Sequence, residues 1–216
     1  MEKDQVKTRI REVGIFPGIR VPTAKQAIFA AETLYASGIL VAEITMTVDG
    51  AVEVIRTLAH SSPEMAVGAG TVLDSITAAR CIDAGARFIT SPGLVPEVVE
   101  TTLKANVVAI PGALTPTEVI ACAKMGADLV KIFPAAAIGG ELYIRSLKVP
   151  LPKVELIAAG GVNQQNASEY IRAGAASLGV GAELLPRDAI LKEQKHRIHE
   201  LARRFLASVA EGRKPR

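Results

Sequence analysis

The stretch TPTEVIACAKMGADLVKIFP, residues 115–134, reads as one helix followed by one strand. Thr115 and Glu118 mark the helix start: the threonine hydroxyl accepts an early amide, the glutamate reaches back, and Pro116 takes the first helical position. Gly126 follows the helical pattern, as a left-handed residue closing a helix does. The period then changes. Leu129–Phe133 is short, apolar and rich in branched residues, which marks a strand rather than another helical turn. A charged residue, Lys131, sits in its middle.

Outward from this unit the same alternation recurs along the chain. Strand-like runs lie at Ile15–Arg20, Leu40–Thr45, Ala66–Gly70, Arg87–Ser91, Val107–Pro111, Leu129–Phe133, Val154–Ala158 and Ala176–Gly181. They begin about every 20 to 26 residues, the length of a strand-loop-helix-loop unit. Gly38, Gly85 and Gly174 punctuate the other units as Gly126 does. Eight such units without a break predict a closed (β/α)8 TIM barrel. An open doubly wound sheet would need a switch point, and the repeat contains none. Ahead of the first strand, Val6, Ile10 and Val13 form a helical stripe, so an extra N-terminal helix is expected to cover the bottom of the barrel.

The 216 residues fit one domain, 1–216, with a basic tail at 211–216 expected to be frayed. Hydrophobic residues make up 49% and aromatics only 4%, so small and branched aliphatics must fill the interior. The net charge of +3, with no basic stripe interleaved with aromatics, argues against a nucleic-acid partner. No apolar run approaches the ~20 residues that span a bilayer, which argues against a membrane role. Glu2-Lys3-Asp4-Gln5 is too polar for a signal peptide, and Cys81 and Cys122 are isolated within helical patterns. A reduced, cytoplasmic protein is the expectation.

Barrel enzymes gather their chemistry at the C-terminal ends of the strands. Lys131 shares a strand face with Leu129 and Phe133, and so points inside the barrel. Lysine is almost never buried without a partner, and an amine short of water can act as a carbonyl nucleophile. Glu43 interrupts the second strand in the same way, sharing a face with Val41 and Thr45. It reads either as a proton-transfer group beside the lysine or as a purely structural counter-charge. Gly160-Gly161 and Gly179-Val180-Gly181 follow strands seven and eight, where barrels often hold phosphate on backbone amides. Their steric reading, glycines needed for tight turns, stands beside that one. His196 and His199 have no companion ligands, so no metal is expected, and the glycine runs match no dinucleotide fingerprint.

Six ordered motifs bring these residues together: Glu43-Ile44-Thr45, Gly68-Ala69-Gly70-Thr71-Val72-Leu73, Ser91-Pro92-Gly93, Ile110-Pro111-Gly112, Lys131-Ile132-Phe133-Pro134 and Gly160-Gly161-Val162. From about Val13 to Leu185 the chain resembles the 2-keto-3-deoxy-6-phosphogluconate / 4-hydroxy-2-oxoglutarate aldolase family. The resemblance implies a class I aldolase of the Entner–Doudoroff type, without metal or other cofactor, assembled as a homotrimer. It implies that Lys131 is the Schiff-base lysine and Glu43 the general acid/base. By the same likeness Thr71 binds the pyruvate carboxylate, Pro92 and Phe133 shape the pyruvyl pocket, and Gly160, Gly161 and Gly181 form the phosphate-end loops. Thr47 stands where some members carry Arg, whereas others resemble this chain in ending strand one with an Arg, here Arg20, as a carboxylate clamp. Ala182 stands where many carry Ser. Two rival readings remain at this point: a phosphosugar isomerase or epimerase on the same barrel, and a catalytically silent barrel used for assembly.

Overall fold

The computed structural model describes residues 1–215. Among them are ten α-helices and nine strands, which alternate except where β6 follows β5 and α10 follows α9. The order is α1 (Lys3–Val13), β1 (Ile15–Ile19), α2 (Ala24–Ala36), β2 (Val41–Thr45), α3 (Ala51–Ser61), β3 (Ala66–Gly70), α4 (Ser75–Asp83) and β4 (Phe88–Thr90). There follow α5 (Pro96–Lys104), β5 (Val108–Ile110), β6 (Gly112–Ala113), α6 (Pro116–Lys124), β7 (Val130–Ile132), α7 (Gly140–Lys148), β8 (Leu156–Ala159), α8 (Ala167–Arg172), β9 (Ala175–Val180), α9 (Arg187–Leu191) and α10 (Lys195–Gly212).

All neighbouring strands are parallel, in the order β5-β4-β3-β2-β1-β9-β8-β7-β6. The two ends of that order, β5 and β6, are one chain segment interrupted at Pro111, so the sheet closes on itself. Pro111 has no N–H to give, which breaks the ladder at that residue. Its carbonyl still accepts from the Lys131 amide at 2.9 Å, and the Asp128 amide reaches Ala109 at 3.0 Å across the seam. The fold is therefore the expected (β/α)8 barrel, with its fifth strand split and carried two residues further than Pro111.

Local signals behave as their chemistry requires. Thr115 and Glu118 form the capping box at the head of α6. Gly38, Gly85, Gly126 and Gly174 take φ of +82°, +102°, +87° and +104°, which side chains rarely adopt.

The N-terminal helix closes the bottom of the barrel. Val6 and Ile10 of α1 are fully buried against the inward side chains Phe16, Val41, Ala66, Phe88, Val108, Leu129 and Ile157. Each such aliphatic contributes on the order of 1.5–3 kcal/mol when removed from water. Phe16 and Phe88 fill the middle of this plug with ring centroids 4.8 Å apart. Gly68 makes room for them, because a Cβ there would lie 2.3 Å from the Phe88 ring.

The chain end departs from expectation. Rather than fraying from 211, α10 runs through Gly212, which is buried against α8: a Cβ there would lie 2.6 Å from the Ser168 carbonyl. Arg213 then donates to the Glu12 carbonyl at 2.8 Å and also to that of Arg11, tying the end of α10 to the end of α1. Those carbonyls are unpaired at a helix C-terminus, which is why an arginine is held there. Arg216, also counted in the expected tail, lies outside the described residues. No described helix is long and apolar enough to cross a membrane.

Candidate active site

Glu43 and Lys131 lie on β2 and β7 and meet inside the barrel. Lys131 Nζ donates to Glu43 Oε1 at 3.2 Å. The pair is largely enclosed, with side-chain exposures of 14% for Lys131 and 5% for Glu43. The buried hydroxyl of Thr90, on β4, donates to the same oxygen. The face of Phe133 lies under the ammonium, its centroid 5.7 Å from Nζ, near enough for a modest cation–π attraction.

Glycines create the space for this carboxylate. In register, Glu43 is flanked by Gly18 on β1 and Gly68 on β3. A Cβ at Gly70 would lie 2.5 Å from the Glu43 side chain, and one at Gly18 would lie 3.0 Å from Oε2. A charged side chain thus occupies a layer that apolar residues would otherwise fill. Such burial is costly without partners, and here Lys131 and Thr90 provide them.

Above the pair opens a cavity of about 680 Å³ at the C-terminal ends of the strands. It contains seven of the nine residues singled out in the sequence: Arg20, Glu43, Lys131, Phe133, Gly160, Gly161 and Gly181. Arg20 is exposed and has no ion-pair partner among the described residues, so its charge is free for an anion. Gly160 and Gly161 take φ of +85° and +84°, and a Cβ on Gly161 would lie 2.3 Å from Ala136. The steric reading of that glycine pair therefore has a concrete basis.

Thr71 and Pro92 do not line the cavity. Both stand at the same end of the barrel. Thr71 directly follows Gly70 and holds φ of +59°, a strained value for a β-branched residue. Pro92 is exposed, and its backbone packs onto Gly112, which pairs with Lys131. Thr47 is also outside the lining, and its hydroxyl is held by Thr45 at 2.7 Å.

Several cavity residues carried no sequence signal. Gly18 and Gln26 are ordinary residues in their segments until the barrel closes. Asn163 and Glu183 come from the loops after β8 and β9, and Arg187 from the first turn of α9. Thr90 could have been found from alternation alone, as a polar residue on the inward face two positions after Phe88. Among the described residues no three His, Cys, Asp or Glu side chains converge as a ligand set, and His199 bonds Ser37 at 2.6 Å instead.

Known proteins share this architecture and sequence. The KDPG and KHG aldolase family matches the chain over residues 6–201. A 2-dehydro-3-deoxy-phosphogluconate aldolase of Pseudoalteromonas atlantica is 32% identical over 91% of this chain and 91% of its own length. The KHG/KDPG aldolase of Escherichia coli is 33% identical over 88% of this chain and 89% of its own. Among solved structures, the KDPG aldolase of Legionella pneumophila, with pyruvate captured as a covalent carbinolamine intermediate, superposes with a TM-score of 0.81. It is 30% identical and covers 94% of this chain and 97% of its own. With the family's model matching residues 6–201 and relatives about one-third identical over most of its length, the chain belongs to the KDPG and KHG aldolase family and is a carbon–carbon lyase.

Proposed function

We propose that the chain is a class I aldolase acting through a Schiff base on Lys131. Its substrates are 2-keto-3-deoxy-6-phosphogluconate, cleaved to pyruvate and glyceraldehyde 3-phosphate, and 4-hydroxy-2-oxoglutarate, cleaved to pyruvate and glyoxylate. The observation that carries this reading is the Lys131–Glu43 contact at the floor of an open cavity. A nucleophilic amine and a proton-transfer carboxylate within one hydrogen bond are what carbinolamine chemistry requires. The covalent carbinolamine of the Legionella relative supports the same chemistry here.

In this mechanism the Lys131 amine adds to the C2 carbonyl, and Glu43 assists loss of water to leave an iminium. The iminium then accepts the electron pair of the C3–C4 bond as Glu43 removes the C4 hydroxyl proton, through a water molecule. The aldehyde departs, the enamine is protonated at C3, and hydrolysis releases pyruvate. Because the iminium is the electron sink, no divalent ion is required. Arg20, exposed and uncommitted in the cavity, orients the carboxylate, and Thr71 completes that end once substrate is bound. Phe133 bounds the pyruvyl group, Pro92 supports that end from outside the lining through Gly112, and Gly160, Gly161 and Gly181 receive the far end of the substrate. The expected assembly is a homotrimer, with a solution mass three times that of the chain by light scattering.

Borohydride reduction in the presence of pyruvate tests the reading. A stable adduct on Lys131, located by peptide mass, is the expected result. Absence of any adduct, or an adduct on another lysine, would remove the Schiff base from Lys131.

A further inference from the structure

We infer that Thr90 is a positioning residue for the proton-transfer step: it holds one oxygen of Glu43 so that the other is presented to the substrate. The inference rests on the Schiff-base reading above and concerns a side chain that does not itself line the cavity.

The two oxygens of Glu43 stand in different surroundings. Oε1 accepts from both the Thr90 hydroxyl and Lys131 Nζ. Oε2 has no protein donor among the described residues and lies beside Gly18, where a Cβ would be only 3.0 Å away. Glu43 and Gly18 both line the cavity. Oε2 is thus the oxygen left without a donor to take up a proton, while Thr90, outside the cavity lining, grips the other. Thr90 is well suited to grip. It is fully buried, its backbone is fixed by pairing with Ile110 and by the Val72 amide at 3.1 Å, and its branched side chain has few rotamers.

The second donor to Oε1 changes during the reaction. An ammonium has three N–H donors, but once Nζ becomes an iminium it is planar and has at most one. The hydrogen bond from Lys131 is therefore altered when the carboxylate must act. The bond from Thr90 is independent of the lysine's state, so it can hold Glu43 in one orientation through the cycle. A carboxylate that swings loses the near-attack geometry on which proton transfer depends.

Exchange of the pyruvate methyl protons isolates this step, because it needs no aldehyde. Lys131 condenses with pyruvate to an iminium, releasing water. Glu43 takes a C3 proton, the C–H pair becomes the C2–C3 double bond of the enamine, and the C=N π pair moves onto nitrogen. In D2O the carboxylic acid exchanges its proton with solvent and returns a deuteron to C3.

The measurement is wild type, Thr90→Val and Thr90→Ser, each followed by proton NMR of pyruvate in D2O and by borohydride trapping at saturating pyruvate. Thr90→Val keeps the shape and removes the hydroxyl. It is expected to give the wild-type yield of adduct while exchange slows on the order of ten- to a hundredfold, the loss of a hydrogen bond to a charged group. Thr90→Ser keeps the hydroxyl and is expected to restore most of the rate. Should the valine protein fail to fold, Thr90→Ala is read in its place. Exchange in Thr90→Val at the wild-type rate overturns the inference. So does parallel loss of adduct and exchange, which marks Thr90 as structural only, or a serine variant as slow as the valine. A wild-type protein that traps no pyruvate instead overturns the Schiff-base reading itself.

Discussion

Gly70 and Glu43 share one volume: an ideal Cβ on Gly70 would lie 2.5 Å from Cδ, Cγ and Oε1 of Glu43. The glycine on β3 is thus required by a side chain on β2, not by its own backbone, which shows no positive φ. The carboxylate keeps its place beside Lys131 only while that neighbouring position stays empty.

Gly70→Ala is therefore expected to push Glu43 away from Lys131. Overpacking of this kind costs about 1–3 kcal/mol of stability, and displacement of the proton-transfer group lowers kcat at least about tenfold. Gly38→Ala provides the contrast. Nothing lies within 4 Å of a Cβ there, but φ is +82°. It is expected to cost about 1–2 kcal/mol of stability and leave kcat unchanged. Thermal melts and steady-state kinetics on both proteins check the pair, and a Gly70→Ala enzyme with full kcat would refute the shared-volume argument.

Lys131→Met removes the nucleophile, so cleavage falls by orders of magnitude and no borohydride adduct forms. Looked at alone, loss of a buried charge would stabilise the fold. The structure reverses that sign, because Glu43 at 5% exposure is left without its cation. The expected cost is about 1–3 kcal/mol, below that of a fully enclosed pair because the cavity admits water. Adding Glu43→Gln removes the stranded charge and is expected to recover part of it. Denaturant unfolding of wild type, single and double variants measures this, and a single variant more stable than wild type would contradict the ion-pair account.

The barrel and its charged interior were legible in the sequence because both are written as local periodicity. Eight runs of period two, each followed by a helical stretch, leave little choice of architecture, and Lys131 and Glu43 stand out because they break apolar strands. What periodicity cannot report is the relation between strands. Nothing near Gly18, Gly68 or Gly70 reveals that these glycines surround Glu43, since they lie on two other strands. Arg187 and Gln26 reach the cavity only because α9 and α2 pack side by side. The split at Pro111 was readable, because proline cannot serve a central strand unbroken. The length of α10 was not, because the contact that holds Gly212 comes from α8, some forty residues earlier.

Cys81 and Cys122 are both fully buried, and burial pushes each thiol up from 9.0 to about 11. A disulfide-exchange reagent at pH 8 is expected to find no reactive thiol in the native protein and two after denaturation. A raised thiol value also has a linkage consequence. Between pH 9 and about 11 the unfolded chain loses these protons while the folded chain keeps them, so stability falls as pH rises through that window. A variant with Ala at both positions is expected to show a shallower decline there. Rapid native labelling, or an unchanged slope in the variant, contradicts the burial argument.

Substrate choice turns on the loop after β9. Ala182 is exposed and lines the cavity next to Gly181, but it gives a phosphate no hydroxyl, where the resembling family often carries Ser. The enzyme is therefore expected to cleave both the phosphorylated six-carbon substrate and 4-hydroxy-2-oxoglutarate, with little preference drawn from this position. Ala182→Ser adds one donor within reach of the substrate's far end. A hydrogen bond to a charged group contributes about 1.5–3 kcal/mol, so kcat/KM for the phosphorylated substrate is expected to rise on the order of tenfold. The unphosphorylated substrate ends elsewhere and should be nearly unaffected. Steady-state kinetics of both substrates on both proteins decide the matter: a gain shared equally, or no gain at all, moves the reading of the phosphate away from this loop and onto Arg187, the other arginine of the cavity besides the carboxylate-binding Arg20.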